Sequence, residues 1–114
     1  MSTANDTVRS ALSEAVDEVN KLISVSTDPD QARQLHCLRE IFFDLWEGAI
    51  KAEIDDAAPI YTDAITQLQQ SESAAAAAQA DISKIADAIQ KAVSAAKAVD
   101  KVLNLGLQIA KFFP

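Results

Sequence analysis

Glycine and proline are scarce in this chain, with 2 and 3 residues among 114. Antiparallel sheets need turn residues every 8–12 positions or so, so a strand-rich fold is excluded and long helices are the economical reading. Aromatic residues make up 5% of the chain while 49% is hydrophobic, which leaves Ala, Leu, Ile and Val to build the core. Cys37 stands alone, so no intrachain disulfide can form, and a reducing compartment suits the chain. No apolar run reaches the ~20 residues of a membrane span. The most apolar stretch, "VLNLGLQIAKFF", is interrupted by Asn104 and Lys111. Met1 to Asp6 lacks the charged-then-apolar order of a signal peptide. The expectation is a cytoplasmic protein, or one secreted without a signal peptide of that kind.

Basic residues are in deficit. The net charge is −7 and the isoelectric point about 4.5, which argues against nucleic acid as a partner, because binding it requires a cationic surface. The imbalance is uneven: residues 1–72 hold 14 of the 17 acids but 5 of the 10 bases. The remainder is therefore slightly basic and should attract either the acidic part or an acidic partner.

What is present is helical periodicity. Asn5 or Asp6 can cap a first helix of about residues 6–25, whose apolar stripe is Val8, Leu12, Val16, Val19 and Ile23. Asp28-Pro29-Asp30-Gln31 is a strong second start, with a capping Asp and Pro at the first helical position. Apolar residues then continue from Leu35 to Ile54. Gly48 costs a helix only about 1 kcal/mol, so the reading carries a helix from 29 to 70 with a kink near Pro59. From Ile54 onward every seventh position is apolar: Ile54, Tyr61, Leu68, Ala75, Ile82, Ile89, Ala96, Leu103 and Ala110. A companion column, including Ala64, Ser71, Ala78, Ile85 and Ala92, is mostly small, which allows close helix approach.

The polar "SES" at Ser71 to Ser73 is the expected turn, followed by a helix over 74–112. The predicted fold is a single all-α domain (1–114): an elongated antiparallel hairpin with arms of roughly 60 Å and a shorter N-terminal helix, a three- to four-helix, coiled-coil-like bundle. A turn at residue 72 places Phe42 and Trp46 against the alanine-rich Ala95 to Val102. It also leaves the turn half of the hairpin uncovered. Ile54, Tyr61, Ile65, Leu68, Ile82, Ile85 and Ile89 are then the expected interface for a homodimer or another protein.

Few residues carry chemistry. His36 and Glu40 lie one turn apart beside Cys37, but a stable metal site needs three or four ligands, and adjacent helical residues point about 100° apart, so His36 cannot readily activate Cys37. Glu40, Asp44 and Glu47 read as a solvated face, with Lys51 in position to pair with Glu47. No catalytic, metal-binding or cofactor-binding residue is assigned. Phe43 points away from the wide face shared by Phe42, Leu45 and Trp46, and with Phe112 and Phe113 it is a candidate partner anchor.

The predicted function is a non-catalytic helical protein–protein interaction module. The alternative is a membrane-acting or secreted helical protein, toxin-like in architecture, whose lysine-bearing C-terminal helix engages a lipid surface. "LWEGA", with Trp46-Glu47-Gly48, resembles the secreted WXG100 helical hairpins, which implies a dimeric, non-enzymatic export substrate or adaptor. That family carries the triplet in its turn, whereas here apolar periodicity runs on to Ile54, and Tyr61 has no acid four residues later.

Overall fold

The computed structural model describes residues 3–113. These form four helices: α1 (Thr3–Val25), α2 (Pro29–Gly48), α3 (Pro59–Ala80) and α4 (Ile85–Leu103). One 3₁₀ turn, Ile82–Lys84, leads into α4, and another, Ile109–Lys111, follows it. α1 pairs with α2 and α3 with α4. The two hairpins stack with α1 on α3 and α2 on α4, so α2 and α3 occupy opposite corners of a square bundle. Glu14 lies beside Glu72, and Glu18 bonds Gln79, so α1 and α3 run in parallel. The bundle is 39 Å long, which the predicted 60 Å arms could not fit.

Most of the α1 stripe forms as expected: Val8, Leu12, Val16 and Val19 are buried, joined by Ala15 and Leu22, while Ile23 is only partly so. The start differs. The helix begins before Asn5, which is buried rather than capping, and whose Nδ2 donates to the carbonyls of Ala49 (2.7 Å) and Ala52 (2.8 Å). Asp28 caps α2 as its sequence signals: its Oδ1 accepts from the amides of Asp30 (2.8 Å) and Gln31 (3.2 Å), with Pro29 at the first turn.

α2 stops at Gly48, well short of Pro59. Two features beyond the local sequence explain this. Asn5 takes the carbonyls of Ala49 and Ala52, which a continuing helix would have used. The Leu105 side chain lies where a Cβ on residue 48 would project, so glycine is what admits it. Residues 49–58 then cross from the foot of α2 to the foot of α3, where Pro59 begins the helix without a side-chain cap.

The predicted turn at Ser71 to Ser73 is helical, and Ser71 is buried within α3. The turn falls at Asp81, whose Oδ1 accepts from the Ser83 amide (3.1 Å) and hydroxyl (2.7 Å). These bonds hold the Asp81 carboxyl below its usual range. Phe42 is buried and α2 does stack on α4, but the register set by a turn at 72 is lost once the turn moves to 81, and Trp46 is only partly buried. The helix predicted to reach residue 112 ends at Leu103. Asn104 adopts a left-handed conformation (φ 56°) and donates its N–H to the Asp100 carbonyl (2.7 Å), a common helix stop. The Asp100 carboxylate accepts the Leu107 amide (3.2 Å), and the segment folds back to bury Ile109.

Small residues let the α3–α4 pair approach closely: Ala64, Ala75 and Ala78 on α3, and Ala88, Ala92, Ala95 and Ala96 on α4, are all buried. With α1 lying along α3, the turn half of that hairpin is covered by its own chain. Leu68, Ile85 and Ile89 are buried, Ile54, Tyr61 and Ile65 are partly so, and Ile82 is exposed at the tip. The contiguous wet seam expected from the sequence is therefore not formed. A charge at Ile85 should consequently unfold the bundle rather than release a monomer. Ile85→Asp is expected to lose about 3 kcal/mol or more, and Asn5→Ala, which strands two carbonyls, roughly 1–3 kcal/mol; urea melts check both.

Candidate functional site

The residues with reactive side chains are held apart from one another. His36 is exposed, with its Nδ1 3.0 Å from Arg39 Nη2. Burial, and secondarily the charge of Glu40, pushes the Cys37 thiol above its usual value, so Cys37 is a poor nucleophile at neutral pH. Among the described residues, no three His, Cys, Asp or Glu side chains gather around one point. Lys51 lies beyond the end of α2, and no ion pair joins it to Glu47 among the described residues.

One titratable cluster escapes a reading of the sequence, because it forms only when α1 lies parallel to α3. Glu72 faces Glu14 and Glu18 across that seam, Gln79 donates its side-chain amide to Glu18, and Lys21 pairs with Glu18 at 3.3 Å. Burial, a hydrogen bond with Glu14 and the charges of Glu14 and Glu18 push the Glu72 carboxyl up to about 7. A carboxyl near that value keeps its proton at mildly acidic pH, which lets it share a hydrogen bond with its neighbour.

The aromatic residues of α2 define a different place. Phe43, Trp46 and Glu47 are three and four positions apart and share one face. They oppose Ser13, Val16, Asp17 and Asn20 of α1 across an open groove of about 510 Å³. Phe43 is 50% exposed, while Trp46 is partly covered and packs on the core. The Arg9 guanidinium stacks 5.8 Å from the centre of the Trp46 ring and pairs with Asp6 at 2.7 Å. At the other end, Arg39 Nη1 donates to Asn20 Oδ1 (2.9 Å). A larger hollow between α3 and α4, about 660 Å³, is lined by Gln69, Gln70, Ser73 and Lys84 among others and offers no large apolar anchor.

The candidate anchors separate accordingly. Phe43 lines the α1–α2 groove; Phe112, 60% exposed, and the partly buried Phe113 belong to the segment after α4 and do not. Trp46, expected in the core, is instead part of the groove wall. The triplet Trp46-Glu47-Gly48 does mark a helix end, but the described chain forms four helices rather than the hairpin that the resemblance implies. The chain matches no protein-family model, no curated protein and no solved structure.

The Glu72 carboxyl makes stability pH-dependent. Its folded value, about 7, lies above its ordinary 4.5, so the folded state holds a proton that the unfolded chain gives up. The contribution is complete below about pH 4.5 and is lost as pH rises through about 7. Urea midpoints should therefore fall between mildly acidic and mildly alkaline pH, and Glu72→Gln should flatten that decline and raise stability on the alkaline side.

Proposed function

We propose that this chain is a non-catalytic helical binding module whose partner, another protein, docks in the groove between α1 and α2. The observation that carries this reading is Phe43, a large apolar side chain left half in water beside Trp46. An uncovered side chain of this size forgoes about 1.5–3 kcal/mol of burial. Aromatic residues and arginine are also the types that dominate binding energy at protein interfaces, and Phe43, Trp46 and Arg9 meet here.

The seam centred on Leu68, Ile85 and Ile89 is not retained as the contact, since those side chains are buried within the chain. A bilayer-engaging role is less well supported. The apolar face of α4 is buried in the bundle, Lys84, Lys91, Lys97 and Lys101 point outward, and no described helix is long and apolar enough to cross a membrane. The lone cysteine, partly buried and with a raised thiol, suits a reducing compartment such as the cytoplasm.

A photo-reactive benzoylphenylalanine tests the reading directly. Placed at position 43, it should yield a discrete protein adduct in cells; at position 112 it should not. Phe43→Ser should keep its urea midpoint, shifting stability by no more than about 0.5–1 kcal/mol, and lose the partner. Adducts that form equally well at both positions would discard the groove.

A further inference from the structure

The walls of the α1–α2 groove carry charge of one sign. We infer that its occupant is a cationic amphipathic helix, contributed by a different protein and carrying Lys or Arg beside its apolar anchors. This rests on the reading of the groove as a docking site and adds the chemistry of what docks.

Backbone geometry favours a helix over an extended segment. Both walls are helices, whose main-chain groups are bonded internally, so an extended peptide would find no edge with which to pair. A third helix brings its own backbone bonds and needs only side-chain complementarity. Ser13 to Asn20 on one wall spans about 10 Å, close to two helical turns. That accommodates apolar anchors at i and i+3 or i+4.

The electrostatics favour a cation. Asp17 stands on the α1 wall and Glu47 on the α2 wall, both exposed. Neither carboxylate has an ion-pair or hydrogen-bond partner among the described residues. Glu40 and Asp44 extend the negative surface along α2, beside Phe43. Among the described residues no cation lines the groove: Arg9 pairs with Asp6 and stacks on the Trp46 ring, and Arg39, bonded to the uncharged Asn20 side chain, lies at the far end. A second copy of this chain would bring a net charge of −7 to an acidic groove, and its lysine-bearing helix, α4, has its apolar face already buried in its own bundle. A cationic helix meets attraction instead, and its on-rate and affinity should fall with salt.

Trp46, the single tryptophan, is a built-in reporter for the test. Three alanine-based helical peptides of about 15 residues would be titrated against the full chain. They share leucine anchors three and four apart and differ only in bearing Lys, Gln or Glu at the flanking positions. The Lys peptide should change Trp46 fluorescence saturably and weaken at higher salt. Its affinity should drop about tenfold with Asp17→Asn and Glu47→Gln combined, and binding should vanish with Phe43→Ser. Calorimetry with Phe43→Ser guards against loss of signal alone.

If the Gln or Glu peptide binds as tightly, and Phe43→Ser still abolishes it, the groove remains a docking site but its cationic occupant is refuted. If the Lys peptide binds Phe43→Ser undiminished, the attraction is unspecific and the inference fails. If no peptide perturbs Trp46 and calorimetry detects no binding, the docking reading and the inference fall together. A dimer in sedimentation that Phe43→Ser dissolves would seat a second copy in the groove and overturn the proposed occupant.

Discussion

A single buried amide sets the plan of this molecule. The Asn5 side chain, near the start of α1, holds the carbonyls of Ala49 and Ala52 just past the end of α2. Those carbonyls would otherwise continue the helix or remain unpaired at a cost of about 1–3 kcal/mol each. By accepting the amide they end α2 at the foot of α1 and free residues 49–58 to cross the bundle. The crossing starts α3 parallel to α1, and that placement covers the apolar face of the α3–α4 hairpin. Without the crossing the chain would be a long hairpin with a wet seam; with it, the same residues close on themselves.

Much of this bundle was legible along the chain. The α1 stripe and most of the seven-residue columns name buried positions, because one face of a helix must be apolar wherever that helix packs, and Asp28-Pro29 marks the start of α2. Leu68, Ala75, Ile89, Ala96 and Leu103 share one column and are all buried, although a turn interrupts it between Ala75 and Ile89. The preserved phase is what hid the turn. The polar Ser71 to Ser73 drew the expected turn, but Ser71 fills a small interior position, and Asp81 with Ser83 makes the turn instead.

The end of α2 was illegible for a different reason. It depends on Asn5 and Leu105, each far from Gly48 in sequence. The groove was legible in part: the position of Phe43, off the main apolar face of α2, marked it as an anchor. Trp46 was not, since its partner Arg9 lies on another helix. Nor could the Glu14–Glu18–Glu72 cluster be foreseen, because the register of two non-consecutive helices creates it. What long-range contacts build, local periodicity cannot announce.

The short connections at 26–28 and 81–84 have a kinetic meaning. Each hairpin can form by closing a loop of only a few residues, and loop closure is least costly in entropy when short. Only the 49–58 crossing must bring distant parts of the chain together, and it does so once two preformed halves exist. Topologies dominated by such local pairings fold among the faster domains of their size. The bundle should therefore assemble from its two hairpins inward, with the packing of α1 on α3 and of α2 on α4 the last to lock.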